Sequence, residues 1–184
     1  MNVTFGGSTY DCTKAVRSGD RATFYLTKGG TAEFVGVRNW SAFVFEDGAG
    51  WDLHEVKSER QAENKAALAA WLAAHPLTWT DGKQYGVEEQ DQNELALNLM
   101  QYQVNKATGQ PAVLEWHAQK EECRPFEEAE YTALSMAISA YVYPYRRYQE
   151  KVKATIFEAQ TAEEVEAVVI DYAGGIVEEG DADA

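Results

Sequence analysis

The sequence predicts an α+β protein: a small N-terminal antiparallel β module over 1–57, a connecting helix, and a mainly α-helical module carrying a short antiparallel sheet over 58–172. Three observations predict it. Residues 1–55 are short runs rich in Val, Thr, Phe and Tyr, cut by Gly6-Gly7, Ser18-Gly19-Asp20, Gly29-Gly30 and Asp47-Gly48, which is the punctuation of strands and turns. From Ser58 onward apolar residues recur at steps of three and four, the helical period. Between the helical stretches lies Asp81-Gly82 with Trp79 and Tyr85 on either side, a hairpin signal.

In the β module, Ala22, Phe24 and Leu26 alternate with Thr23, Tyr25 and Thr27, as in a strand with one wet face. Lys28-Gly29-Gly30 turns the chain into a second strand over 32–37, and Phe43, Val44 and Phe45 precede a glycine-rich turn closing on Trp51. A sheet or barrel of five or six strands is predicted.

Ser58-Glu59-Arg60-Gln61 reads as a capping box opening an alanine-rich helix with Leu68, Trp71 and Leu72 on its apolar side. That helix stops at His75-Pro76, because proline pushes its predecessor out of the helical region. It connects the modules, with the boundary at 56–58.

The second module is organised around Leu77–Tyr102. A two-residue Asp81-Gly82 turn is expected, then a helix whose first turn carries Glu88, Glu89 and Asp91, where negative charge suits the helix dipole. Leu95, Leu99 and Tyr102 form one apolar line and Leu97, Met100 and Val104 a second, so this helix is expected to be covered on two sides. A loop over 107–111 leads to a strand over 112–116, expected to pair with the hairpin. Tyr131, Leu134, Ile138, Tyr141, Tyr145 and Tyr148 then form a heptad-like seam, continuing through Val152 to Ile156 and Ala159. Pro144 removes a backbone donor within it and predicts a kink, or two helices meeting at an angle. Thr161 and Glu164 form a second capping box before a last helix with Val165, Val168 and Val169 inward, and 173–184 is an acidic, flexible tail.

The ordered set Asp81, Gly82, Lys83, Tyr85, Glu88, Gln92 and Asn93, followed by Trp116, a long helix over 127–143, and Ile156 with Ala159, resembles the uncharacterised C-terminal domain of phage and prophage tail-fibre-associated proteins. The similarity covers roughly 58–172. After Trp116 the family continues as a polar hairpin, whereas this chain reads HAQKEECRPF. The resemblance implies a tail-associated protein that works through protein contacts, with tail components or a second copy of itself as partner, in a family whose members are commonly oligomeric. The order F-x-G-V, aromatic, F, Asp-Gly, Trp in the first module is similar to the β module at the head of some prophage tail proteins.

Charge narrows the partners. Sixteen basic residues against thirty acidic give a formal charge of −14, which disfavours phosphate backbones and anionic membrane surfaces. A local basic patch stays open around Arg146, Arg147, Lys151 and Lys153. Cys12 and Cys123 are far apart and fit no metal or redox spacing, as in a reducing compartment; a bridge between them stays open. No apolar run approaches the roughly 20 residues that cross a bilayer, and the N-terminus lacks a charged segment followed by an apolar one. Synthesis in the bacterial cytoplasm is expected, with the virion as a destination implied by the resemblance.

Glu115, His117, Glu121, Glu122 and Cys123 are the densest set of metal-competent side chains, but their spacing matches no zinc pattern. His54 and His75 have no nucleophile or orienting acid beside them; His75 suits a helix C-terminus. The glycine pairs lack phosphate-loop spacing, and Glu88, Glu89 and Asp91 read as caps. No catalytic residue, cofactor or metal is predicted, and a non-enzymatic role is expected. The seam Tyr131, Leu134, Ile138, Tyr141, Tyr145 and Tyr148 is the candidate interface, since tyrosine is favoured where proteins meet; its bland alternative is packing on its own domain. Three functions follow: a tail-associated structural or assembly protein, a prophage-encoded protein that sequesters a host factor, and an enzyme, the last needing a pocket of convergent polar groups.

Overall fold

The computed structural model describes residues 1–46 and 48–174 and shows an α+β fold. The acidic tail lies outside the described residues from Gly175 on, as does Asp47. The chain forms two compact units. Unit 1 joins Met1–Asn64 to Lys151–Val169, and unit 2 joins Lys65–Glu150 to the residues from Ile170. Two long helices contribute to both, so each unit is assembled from separated segments. The sequence boundary at 56–58 falls inside the first of these helices.

In unit 1, strands β1 (Asn2–Phe5), β2 (Ser8–Ser18), β3 (Arg21–Leu26), β4 (Thr31–Phe34) and β5 (Val44–Phe45) form one antiparallel sheet in the order β4-β3-β2-β1-β5. The five-stranded sheet follows the alternation: Ala22 and Phe24 are buried and Tyr25 is exposed. Val3, Cys12, Ala15, Ala22, Phe24 and Phe43 make its core. Cys12 is buried there, Cys123 is exposed, and both are free thiols.

Helix α1 (Leu53–Ala74) starts earlier than the Ser58 box implied. Asp52 caps it, its Oδ1 accepting from the Glu55 amide at 3.1 Å, and Ser58 becomes an interior residue. A good cap one and a half turns upstream wins because the residues between are helix-competent. The helix ends where Pro76 requires; His75 stacks on Trp71 with centroids 3.6 Å apart.

In unit 2, β6 (Leu77–Thr78) pairs with β7 (Gln84–Tyr85), followed by α2 (Glu89–Thr108), the pair β8 (Leu114–Trp116) and β9 (Arg124–Phe126), and α3 (Glu128–Glu158). A short α4 (Ala162–Ala167) returns to unit 1. The strand ending at Trp116 does not pair with the Trp79/Tyr85 hairpin as expected. It pairs with β9, and HAQKEEC forms the loop between them. Gln119 still donates its amide to the Gln84 carbonyl at 2.7 Å, tying the two hairpins together.

Residues 128–158 form one helix through Pro144, which excludes the two-helix alternative. The proline and Ala140, whose carbonyl loses its usual donor, are both on the exposed side, where water can serve that oxygen. The Thr161/Glu164 box opens α4 as predicted. Val165 and Val168 are buried, but Val169 is exposed, because the helix has already ended at Ala167. No helix among the described residues is long and apolar enough to cross a membrane.

Candidate interaction sites

Three of the motif residues of unit 2, Asp81, Lys83 and Tyr85, meet in one polar network. The turn differs from the expected two-residue form. The Trp79 amide donates to the Lys83 carbonyl at 2.8 Å and the Gly82 amide to the Trp79 carbonyl at 2.9 Å, leaving a three-residue loop that ends on Gly82 at φ +80°. This is the three-residue hairpin with a left-handed residue closing it. Asp81 Oδ1 accepts from the Lys83 amide at 3.0 Å and Oδ2 from the Tyr85 hydroxyl at 2.8 Å. Arg124 lies 3.5 Å from Asp81, 3.4 Å from the Tyr85 hydroxyl and 2.8 Å from Glu130, with its guanidinium 3.7 Å from the centre of the Phe126 ring.

Burial works against ionisation of Asp81, but the Lys83 amide, the Tyr85 hydroxyl and Arg124 outweigh it and hold its carboxyl below the ordinary range. The hydrogen bond to Glu130 raises the Arg124 pKa. Lys83 pairs with Glu121, one of the carboxylates in the metal-competent set. Gln92 donates to the Val87 carbonyl at 2.7 Å and accepts from Arg146 at 3.4 Å. Trp116 is buried in the unit's core and Asn93 is exposed. The network fastens hairpins and helices to one another and presents no reacting group.

The predicted interface seam is corrected. Tyr131, Leu134 and Ile138 are fully buried with Leu95, Leu114, Phe126 and Val142 in the unit 2 core. Tyr141, Tyr145 and Tyr148 are half-buried against that core. The Tyr141 hydroxyl donates to the His75 carbonyl at 3.1 Å, and burial lifts its pKa to about 12. Intrachain packing consumes the seam because α1, α2 and both hairpins supply residues to the same cluster.

The second line of α2 is corrected in the opposite direction. Leu97, Met100 and Val104 are 57%, 56% and 52% exposed, diametrically across the helix from buried Leu95 at 3.6 residues per turn. These residues form an uncovered apolar stripe on α2.

A shallow groove of about 410 Å³ beside α2 gathers Glu94, Glu115, His117 and Cys123. Among the described residues no three His, Cys, Asp or Glu side chains are placed to share a metal ion. Glu88, Glu89 and Asp91 act as read: Glu88 is the N-cap, and the Asp91 carboxylate accepts the Glu88 amide at 2.9 Å.

Unit 1 holds a site that the sequence reading missed. Arg17 on β2 is only 3% exposed; it pairs with Glu163 at 3.3 Å and with Glu166. Its guanidinium carbon lies 5.0 Å from the Trp40 ring centre and 5.9 Å from that of Trp51. Phe43 and Phe45 meet Trp51 edge-on at 5.3 and 5.1 Å. These groups line a cleft of about 540 Å³. Four separated segments build it, so no local pattern announces it; the nearest signal was the Trp40…Trp51 spacing around aromatic β5. No protein-family model, no curated protein and no solved structure matches this chain.

Proposed function

We propose that this chain is a non-enzymatic phage or prophage tail-associated protein, acting through protein–protein contacts in the structure or assembly of the tail fibre. The observation that carries the contact role is the Leu97, Met100 and Val104 stripe, three large apolar side chains more than half exposed on a single helix face. Such a stripe is the anchor pattern by which helices enter grooves on partner proteins. The family reading rests on the resemblance carried by Asp81, Gly82, Lys83, Tyr85, Gln92, Asn93 and Trp116 in that order. The partner is a tail component or a second copy of the chain.

Gold-labelled antibody against this protein on purified virions tests the proposal, with labelling at the tail tip or fibre expected. Virions without label, together with co-purification of one basic host protein from infected cells, would favour the sequestering role instead. The charge of −14 is the observation behind that second reading.

A further inference from the structure

We propose that the Arg17 cleft of unit 1 binds a neutral saccharide. Two cavities, of about 540 and 240 Å³, share Arg17, Trp40 and Glu166 in their walls. The larger one falls in the range of small-ligand clefts, roughly 300–1,000 Å³. Its apolar wall is aromatic: Trp40, Phe45 and Trp51 are half-buried, and Phe43 packs behind them.

The polar groups specify the rest. Arg17 Nε and Arg60 Nε are buried and have no hydrogen-bond acceptor among the described residues, and both arginines line the smaller cavity. Both Nε atoms are closed to solvent, so the polar groups that an occupant of the cleft meets are the carboxylates. The carboxylates of Glu163 and Glu166 on the aromatic side, and of Glu59 and Glu63 on the other, accept hydrogen bonds and donate none at neutral pH. An occupant that suits this lining offers hydrogen-bond donors to the carboxylates and an apolar face to the rings.

Charge disfavours an anion, and occupied ring faces disfavour a cation. An anion would meet four carboxylates whose only opposing cations, Arg17 and Arg60, are already paired with Glu163, Glu166 and Glu63. A cation is drawn by carboxylates that outnumber the arginines, but the faces of Trp40 and Trp51 that would hold it are already taken by the Arg17 guanidinium. A sugar ring meets every requirement at once: hydroxyls that donate and accept, C–H faces that lie on indole, and no net charge. This inference concerns unit 1 alone and does not rest on the tail-associated reading.

Isothermal titration of the full chain with neutral mono- and disaccharides (glucose, galactose, mannose, N-acetylglucosamine, lactose and maltose) tests it, with glucosamine and glucuronic acid as charged controls. At least one neutral sugar should bind with a millimolar or tighter Kd, and both charged controls should bind at least about tenfold more weakly. Trp40→Ala should abolish the binding. Glu163→Gln, at a side chain 73% exposed, should weaken it several-fold in a protein that still melts cooperatively, because Glu166 stays paired with Arg17. No heat from any neutral sugar up to about 50 mM, preference for a charged sugar, or binding undiminished in folded Glu163→Gln and Trp40→Ala proteins would each overturn the assignment.

Discussion

The Tyr85 hydroxyl donates to Asp81 Oδ2 at 2.8 Å, while the Asp81 Oδ1 of the same carboxylate holds the Lys83 amide. One side chain thus closes the turn and anchors the tyrosine that fills the core beside it. The Asp81 pKa is depressed in the folded chain. Its contribution is therefore present above the ordinary aspartate value of about 3.9 and lost as pH falls through the lower folded value. Asp81→Asn should cost about 1 kcal/mol at pH 7 and flatten the acid limb of stability below pH about 4. Urea titrations of both proteins across that range check the sign.

Gly86 is a second constraint on this region. A Cβ there would overlap the Asp91 carboxylate, with Asp91 Cγ only 2.8 Å away, and Asp91 caps α2. Gly86→Ala should therefore cost about 1–2 kcal/mol by displacing the cap. The cost should be less than additive with Asp91→Ala, which a double-mutant cycle in urea measures.

Ile138 sits in the unit 2 core. Ile138→Ala should destabilise by about 2–5 kcal/mol. Ile138→Asp should unfold the unit rather than release a folded monomer, and circular dichroism with sedimentation equilibrium separates those outcomes.

The exposed stripe should behave oppositely. Leu97→Ser together with Met100→Ser should change stability by no more than about 0.5 kcal/mol while abolishing cross-linking from a photoreactive residue placed at Val104. Thermal melts and cross-linking in infected-cell lysate read the two effects independently.

Deleting residues 1–57 removes most of unit 1, whose remaining parts are 58–64 and 151–169. Amide exchange should then accelerate over 151–169, where Ile156 and Val165 are fully buried in the whole chain, and stay slow at Leu134 and Ile138. Exchange followed by mass spectrometry locates the loss.

Local signals were legible in the sequence wherever one element decides them. The Ala22–Thr27 alternation, the Thr161/Glu164 box and the stop at Pro76 all follow from neighbours within a few residues. Periodicity also found both apolar lines of α2, but it could not say which line would be covered, because that depends on the hairpins and α3 folding over one side. The same limit misassigned the tyrosine seam. A stripe shows that a face will be buried, and only the tertiary arrangement shows by what. The Arg17 cleft was illegible for the strongest form of this reason: its cation, rings and carboxylates come from around residues 17, 40, 51 and 163.

The long separation between Arg17 and its carboxylates gives the chain a timetable. During synthesis the strands holding Arg17, Trp40 and Trp51 leave the ribosome first. Glu163 and Glu166 follow only after residues 52–162, about 6–22 s later at ordinary elongation rates. Through that interval the sheet carries a guanidinium with its rings but without its counter-charges. A nascent chain arrested before residue 163 should therefore leave Arg17 open to solvent and to arginine-directed protease, and completion of α4 should close it.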